Sequence, residues 1–134
     1  MKTRPYLSLA DVQRIGDAAS SEAVAHGWAV TVAIVDDGGH LLWLQRLDGA
    51  APASSHIGPA KARTAALFKR PTAAFEEIIR NGRTPMVALE DFTPLQGGVP
   101  IEADGKVVGA IGVSGAASQQ RDEEVARAGA AALE

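Results

Sequence analysis

The sequence predicts an α/β (α+β) fold, an antiparallel sheet covered by helices. Two observations carry this. Apolar runs come in two pairs, each joined by hairpin turn residues: Asp36-Asp37-Gly38-Gly39 and Asp104-Gly105. Around these pairs lie segments whose apolar residues recur at helical spacing between capping residues. A chain of 134 residues, 46% of them hydrophobic, suffices for one domain with its own core, expected over 1–134.

The elements follow in order. Ser8 with Asp11 makes a capping box, and Leu9, Val12, Ile15, Ala19 and Ala23 continue at helical spacing. Gly27 is the stop, and His26 sits where a cation favours the helix dipole, so a helix is expected over 9–26. Trp28 to Val35 reads as a strand, and His40 to Asp48 as its hairpin partner. In that partner Leu41, Trp43 and Leu47 share one face, and Leu42, Leu44 and Arg46 the other. A loop, GAAPASS, precedes a helix over 57–69 with Pro59 in its first turn, where a missing N–H is tolerated. Thr72 caps a short helix to Arg80, closed by Asn81-Gly82. Residues 83–98, with Pro85 and Pro94, show no period and read as a loop that is functional or mobile. Strands 99–103 and 106–114 flank Asp104-Gly105, and Ser118 caps a last helix to Leu133.

The last strand holds the main puzzle. VVGAIGVSG carries glycine at 109, 112 and 115, and glycine weakens a strand interior. One face presents Val107, Gly109, Ile111 and Val113; the other presents Val108, Ala110, Gly112 and Ser114 and is flat beyond Val108. Either a helix packs close against that face, or a ligand edge approaches the backbone there. Gly115 adjoins the last helix's start, where free N–H groups suit a carboxylate or phosphate.

Composition excludes several classes. Without cysteine there is no disulfide, iron–sulfur cluster or thiolate zinc site. A net charge of −3, with basic residues spread out, argues against nucleic-acid binding. No apolar run approaches the roughly 18 residues of a membrane helix, and MKTRPYLSLAD lacks a signal peptide's apolar region, so a cytoplasmic location is expected. No metal site is expected.

Candidate chemistry is sparse. His56, in SSHIGPAK near Lys61 and Arg63, is a candidate ligand or base; Lys61 and Arg63 read equally as a solvated helix face. Asp36 and Asp37 are candidate carboxylates for acid–base work or a divalent cation, against a simpler and stronger role in the turn. His26 and His40 read as helix-end and surface residues. The chain has no P-loop, H-E-x-x-H or EF-hand pattern, and Ser114 in GVSGA lacks nucleophile-elbow spacing.

Four stretches in order, IVDDGGHLLWLQRLDGA, AKARTAALFKRPT, LQGGVPIEADGKVVGAIGVSGA and DEEVARAG, resemble the family of HbpS, GlcG and the PduO C-terminal domain, over about residues 8–133. The resemblance implies a profilin-like domain with a central antiparallel sheet of about five strands, the fifth from around 86–97. It also implies a homo-oligomer, and haem binding in some relatives. Asp36, Gly38 and Gly39 match the family's hairpin, and Lys61, Ala62 and Thr64 its helix motif. Gly97, Gly98, Pro100, Gly109, Gly112, Ser114 and Gly115 match its glycine-rich segment. SSHIGPAK, and an extra residue in SQQRDEE, depart from its pattern.

Three functions are consistent with this reading. The first is a cytoplasmic haem- or tetrapyrrole-binding accessory protein. The second is an enzyme moving a proton on a hydroxy- or keto-acid, with His56, Lys61 and Asp37 in catalysis and Arg63, Gly97, Gly98, Gly112, Ser114 and Gly115 binding the small-molecule ligand. The third is a structural or regulatory oligomer without a ligand. None involves nucleic acid or membrane.

Overall fold

In the computed structural model, which describes residues 1–133, four strands form one antiparallel sheet. Helix α1 (Leu9–His26) precedes the hairpin of β1 (Thr31–Asp36) and β2 (Leu41–Arg46). Helices α2 (Ser54–Phe68) and α3 (Thr72–Arg80) and a 3-10 turn (Thr84–Ala88) lead to β3 (Gly98–Ala103) and β4 (Lys106–Ser114), and α4 (Gln119–Ala131) ends the fold. The sheet order is β2-β1-β4-β3, so the two hairpins join side by side through β1 and β4.

Local chemistry accounts for the boundaries. The Ser8–Asp11 capping box forms, and Gly27 closes α1 in the left-handed conformation (φ 72°). Asp104 and Gly105 both take positive φ, as a tight hairpin turn demands. Ser118 caps α4 by accepting from the Arg121 N–H.

Several expectations are corrected. The sheet has four strands, not about five. Residues 86–97 supply no strand: Pro85 and Pro94 donate no backbone hydrogen bond, and Asp91 takes a positive φ of 51°. That segment is instead held to the body. Phe92 packs edge-on with Phe68 and Phe75 at 5.2–5.3 Å, and the Thr93 N–H donates to Thr64 Oγ1 at 2.9 Å. Helix α2 starts at Ser54 rather than 57, so Pro59 lies inside it. Thr72 does not cap α3; its hydroxyl accepts from the Gly98 N–H at 2.9 Å, tying α3 to β3. A bulge in the β3–β4 pairing at Ile101/Glu102 turns Val108 toward the main core, away from Ala110 and Gly112.

The helices sit on both faces of the sheet. Val32, Ile34, Ile111 and Val113 pack with Ile15 of α1 and Val125 of α4 in the main core. On the opposite face Val35 and Ala110 meet Ala62, Ala65 and Ala66 of α2. This second layer is thin because its residues are small, which brings the α2 backbone close to the sheet. A Cβ on Gly112 would overlap the Gly58 carbonyl oxygen and come within 2.5 Å of the Ala62 nitrogen. Half the puzzle of the bare strand is thereby answered: its flat face receives a helix.

Candidate functional site

The other half lies one residue further on. Where β4 ends, Gly115 (φ 119°) and Ala117 (φ 67°) turn the chain into α4. A Cβ on Gly115 would stand 2.8 Å from the Ala29 carbonyl oxygen, in a conformation that already favours glycine. The turn opens a hollow of about 310 Å³ among Ile57 and Lys61 of α2, Leu95, Ser114, and the first residues of α4.

Its floor is ionic. Lys61 is 2% exposed, and its Nζ donates to the Val113 carbonyl at 3.0 Å and to Asp122 Oδ2 at 3.1 Å. The other Asp122 oxygen accepts from the Ala116 N–H at 2.9 Å, so both carboxylate oxygens are committed. Gly97 and Gly98 make room for this lysine. A Cβ on Gly97 would stand 2.8 Å from Nζ, and one on Gly98 would overlap the Lys61 carbonyl oxygen. Asp122 escaped the sequence reading because DEE at a helix start suits the dipole by itself. Nor did the spacing of 61 residues between the partners give any signal.

The predicted residues thus separate into groups. Lys61, Ser114 and Gly115 line the hollow, with Gly97 and Gly98 packed against Lys61 and Gly112 beneath α2. His56 is exposed on α2 and outside the lining. Arg63 and Asp37 lie toward the other end of the sheet, by the β1–β2 hairpin. Arg63 pairs with Asp91 at 2.8 Å and packs over Gly39, while Asp37 pairs with Arg4. Within that hairpin Asp36 accepts from the N–H groups of Gly38 and His40 at 2.9 Å and from the His40 ring. Partial burial, the largest single influence, works to raise its pKa, but these bonds together hold it below the ordinary carboxylate value.

A sequence model of the family described as haem degrading protein HbpS-like matches residues 7–131. The chain belongs to the HbpS-like family. GlcG of Escherichia coli K12 is 47% identical over 114 residues, covering 85% of each chain. A double mutant of Streptomyces reticuli HbpS superimposes with a TM-score of 0.89 at 37% identity, over 100% of this chain and 91% of that one. The structure described as a PduOC:heme complex gives 0.86 at 28% identity, over 96% and 95%. The corrinoid adenosyltransferase PduO of Salmonella typhimurium LT2 is 30% identical over 132 residues, which span 95% of this chain but 39% of that protein. The HbpS-like chain described here therefore corresponds to only part of PduO.

Proposed function

We propose that this HbpS-like chain is a cytoplasmic haem- or tetrapyrrole-binding accessory protein. The observation that carries the reading is the likeness, along nearly the whole chain, to a PduO domain whose structure is described as a haem complex. Among the described residues no helix is long and apolar enough to cross a membrane.

Two of the three histidines already have partners. His26 is engaged with Glu22 and Glu124, and His40 with Asp36. The His56 side chain has no hydrogen-bond or ion-pair partner among the described residues and is exposed, so its imidazole is available to an iron. Ala60, Arg63 and Leu67 follow it at i+4, i+7 and i+11, along one row of α2. That row offers apolar surface to a ring and a guanidinium to a propionate. A bound haem would supply the iron chemistry; the chain supplies the nitrogen, the apolar platform and the cation. Arg63 meets Asp91 in a solvent-exposed pair of the kind worth only about 0–1 kcal/mol, so a propionate can compete for it. Hemin titration of the full chain tests the reading. A saturable Soret shift with Kd at or below about 1 μM is expected, and its absence overturns the proposal.

The same reading includes a homo-oligomer. Strand β2 is a sheet edge, and Leu41, Leu42 and Leu44 on it are 40–52% exposed. Edge strands are ordinarily guarded by charges or proline; this one, LLWLQR, carries a single charge at its end. An antiparallel second copy of β2 satisfies its free backbone groups and covers the leucines together.

A further inference from the structure

We propose that the hollow at the start of α4 binds a small aliphatic carboxylate, independently of any haem. The first observation is Ser114. It is 7% exposed, it lines the hollow, and its hydroxyl has no hydrogen-bond partner among the described residues. The hydroxyl is not sealed off inside the protein but opens on the hollow, so it is free to bond whatever sits there. A carboxylate oxygen seated in the hollow accepts that hydroxyl's hydrogen.

The second observation is the backbone beside it. The N–H groups of Ala117, Ser118 and Gln119 have no backbone acceptor among the described residues, and all three residues line the same hollow. They form the entry to α4, a helix of 13 residues whose dipole favours negative charge there. Gly115 lets the main chain turn in this way.

The remaining walls choose among anions. Lys61 uses two of its three N–H donors on Val113 and Asp122, and Asp122 uses both oxygens. The pair is neutral overall and leaves no uncommitted cation in the lining. A phosphate dianion would meet the Asp122 charge without a counter-ion, whereas a carboxylate carries half that charge. Ile57, Leu95 and Ala117 are apolar and receive a short carbon chain. The volume of about 310 Å³ sits at the lower end of the range for small-molecule sites, about 300–1,000 Å³. Neither His56 nor Asp37 lines the hollow, so the inference is of binding and not of proton transfer.

The test is a titration of the full chain, in a buffer without carboxylates, by calorimetry and backbone amide NMR. Acetate, propionate and butyrate are compared with inorganic phosphate and with the neutral propionamide. We expect saturable one-to-one binding of propionate or butyrate with Kd near or below about 1 mM, and shifts concentrated at residues 115–119. Propionamide and phosphate should bind at least about tenfold more weakly, and Ser114→Ala should weaken propionate by about tenfold, the scale of one hydrogen bond to a charged group. Ala117→Glu, on the exposed rim, should abolish binding whether or not Ser114→Ala folds. The inference is overturned if no carboxylate saturates, if phosphate binds as well as propionate, or if both variants bind like the parent. Hemin binding is measured separately, so its failure and this one are told apart.

Discussion

Lys61 Nζ lies 3.1 Å from Asp122 Oδ2 with side chains 2% and 6% exposed, joining α2 to α4 across the end of β4. A charge so buried is tolerated because it is paired and also donates to the Val113 carbonyl. Removing one partner strands the other, which costs about 3–5 kcal/mol, whereas removing both together often costs little. Lys61→Met should therefore lower stability by about 3–5 kcal/mol in urea unfolding. Adding Asp122→Asn, which keeps an acceptor for the Ala116 N–H, should recover more than half of that. A double-mutant cycle without coupling would show that the pair does not act as a unit.

Gly112→Ala should be among the most damaging single-methyl changes in this chain. The new Cβ meets the Gly58 carbonyl oxygen and Ala62 nitrogen, which are backbone atoms of α2 and cannot rotate away. Overpacking ordinarily costs about 1–3 kcal/mol, and a clash with rigid backbone belongs at or above the top of that range. Gly105→Ala is the control: space around its Cβ is open, and only its φ of 74° opposes the change. The denaturant midpoint should fall further for Gly112→Ala than for Gly105→Ala.

The elements that could be read in the sequence are those set by local chemistry. The Ser8–Asp11 box, Gly27, the Asp104-Gly105 turn and the Ser118 cap each act within a few residues, and each formed. What escaped depends on neighbours distant in sequence. Thr72 has a cap's composition, but Gly98 claims its hydroxyl. Lys61 has a surface residue's composition, but Asp122 holds it inside. For the candidate site, the glycine pattern leads to the end of β4, where the hollow opens; it does not show which glycine receives a helix and which adjoins a hollow. His56, Arg63 and Asp37 have the chemical types of a site, while the fold leaves them outside that hollow.

Acid should expose the contribution of Asp36. Its pKa is lowered in the fold, so the stability it contributes is fully present above the unfolded value near 4, and is lost as pH falls through the folded value. The difference in thermal midpoint between the parent and Asp36→Asn should therefore be largest near neutral pH and shrink below about pH 4. A difference that persists unchanged at pH 2 would assign the effect to shape and not to charge.

His56→Ala should abolish or blue-shift the Soret band of the hemin complex without changing the urea midpoint, since the side chain is exposed and partnerless among the described residues. His40→Ala should leave the Soret band as it was, because His40 is engaged by Asp36 at 3.1–3.2 Å. The reverse outcome, a band lost with His40 and kept without His56, would move the iron to the hairpin.

Leu44→Lys should lower the subunit count seen by native mass spectrometry. Leu44 pairs with Ala33 on its inner side, and its strand has no neighbour on the outer side. At 45% exposure it contributes little to the monomer core, so the fold should survive the change. A lysine at that position puts one positive charge on each copy of a two-fold interface, and like charges facing one another across paired strands oppose association. Val24→Lys, on the exposed side of α1, adds the same charge elsewhere and should leave the count unchanged. If both variants assemble like the parent, the β2 edge is not where copies meet, and its leucines must be covered in some other way.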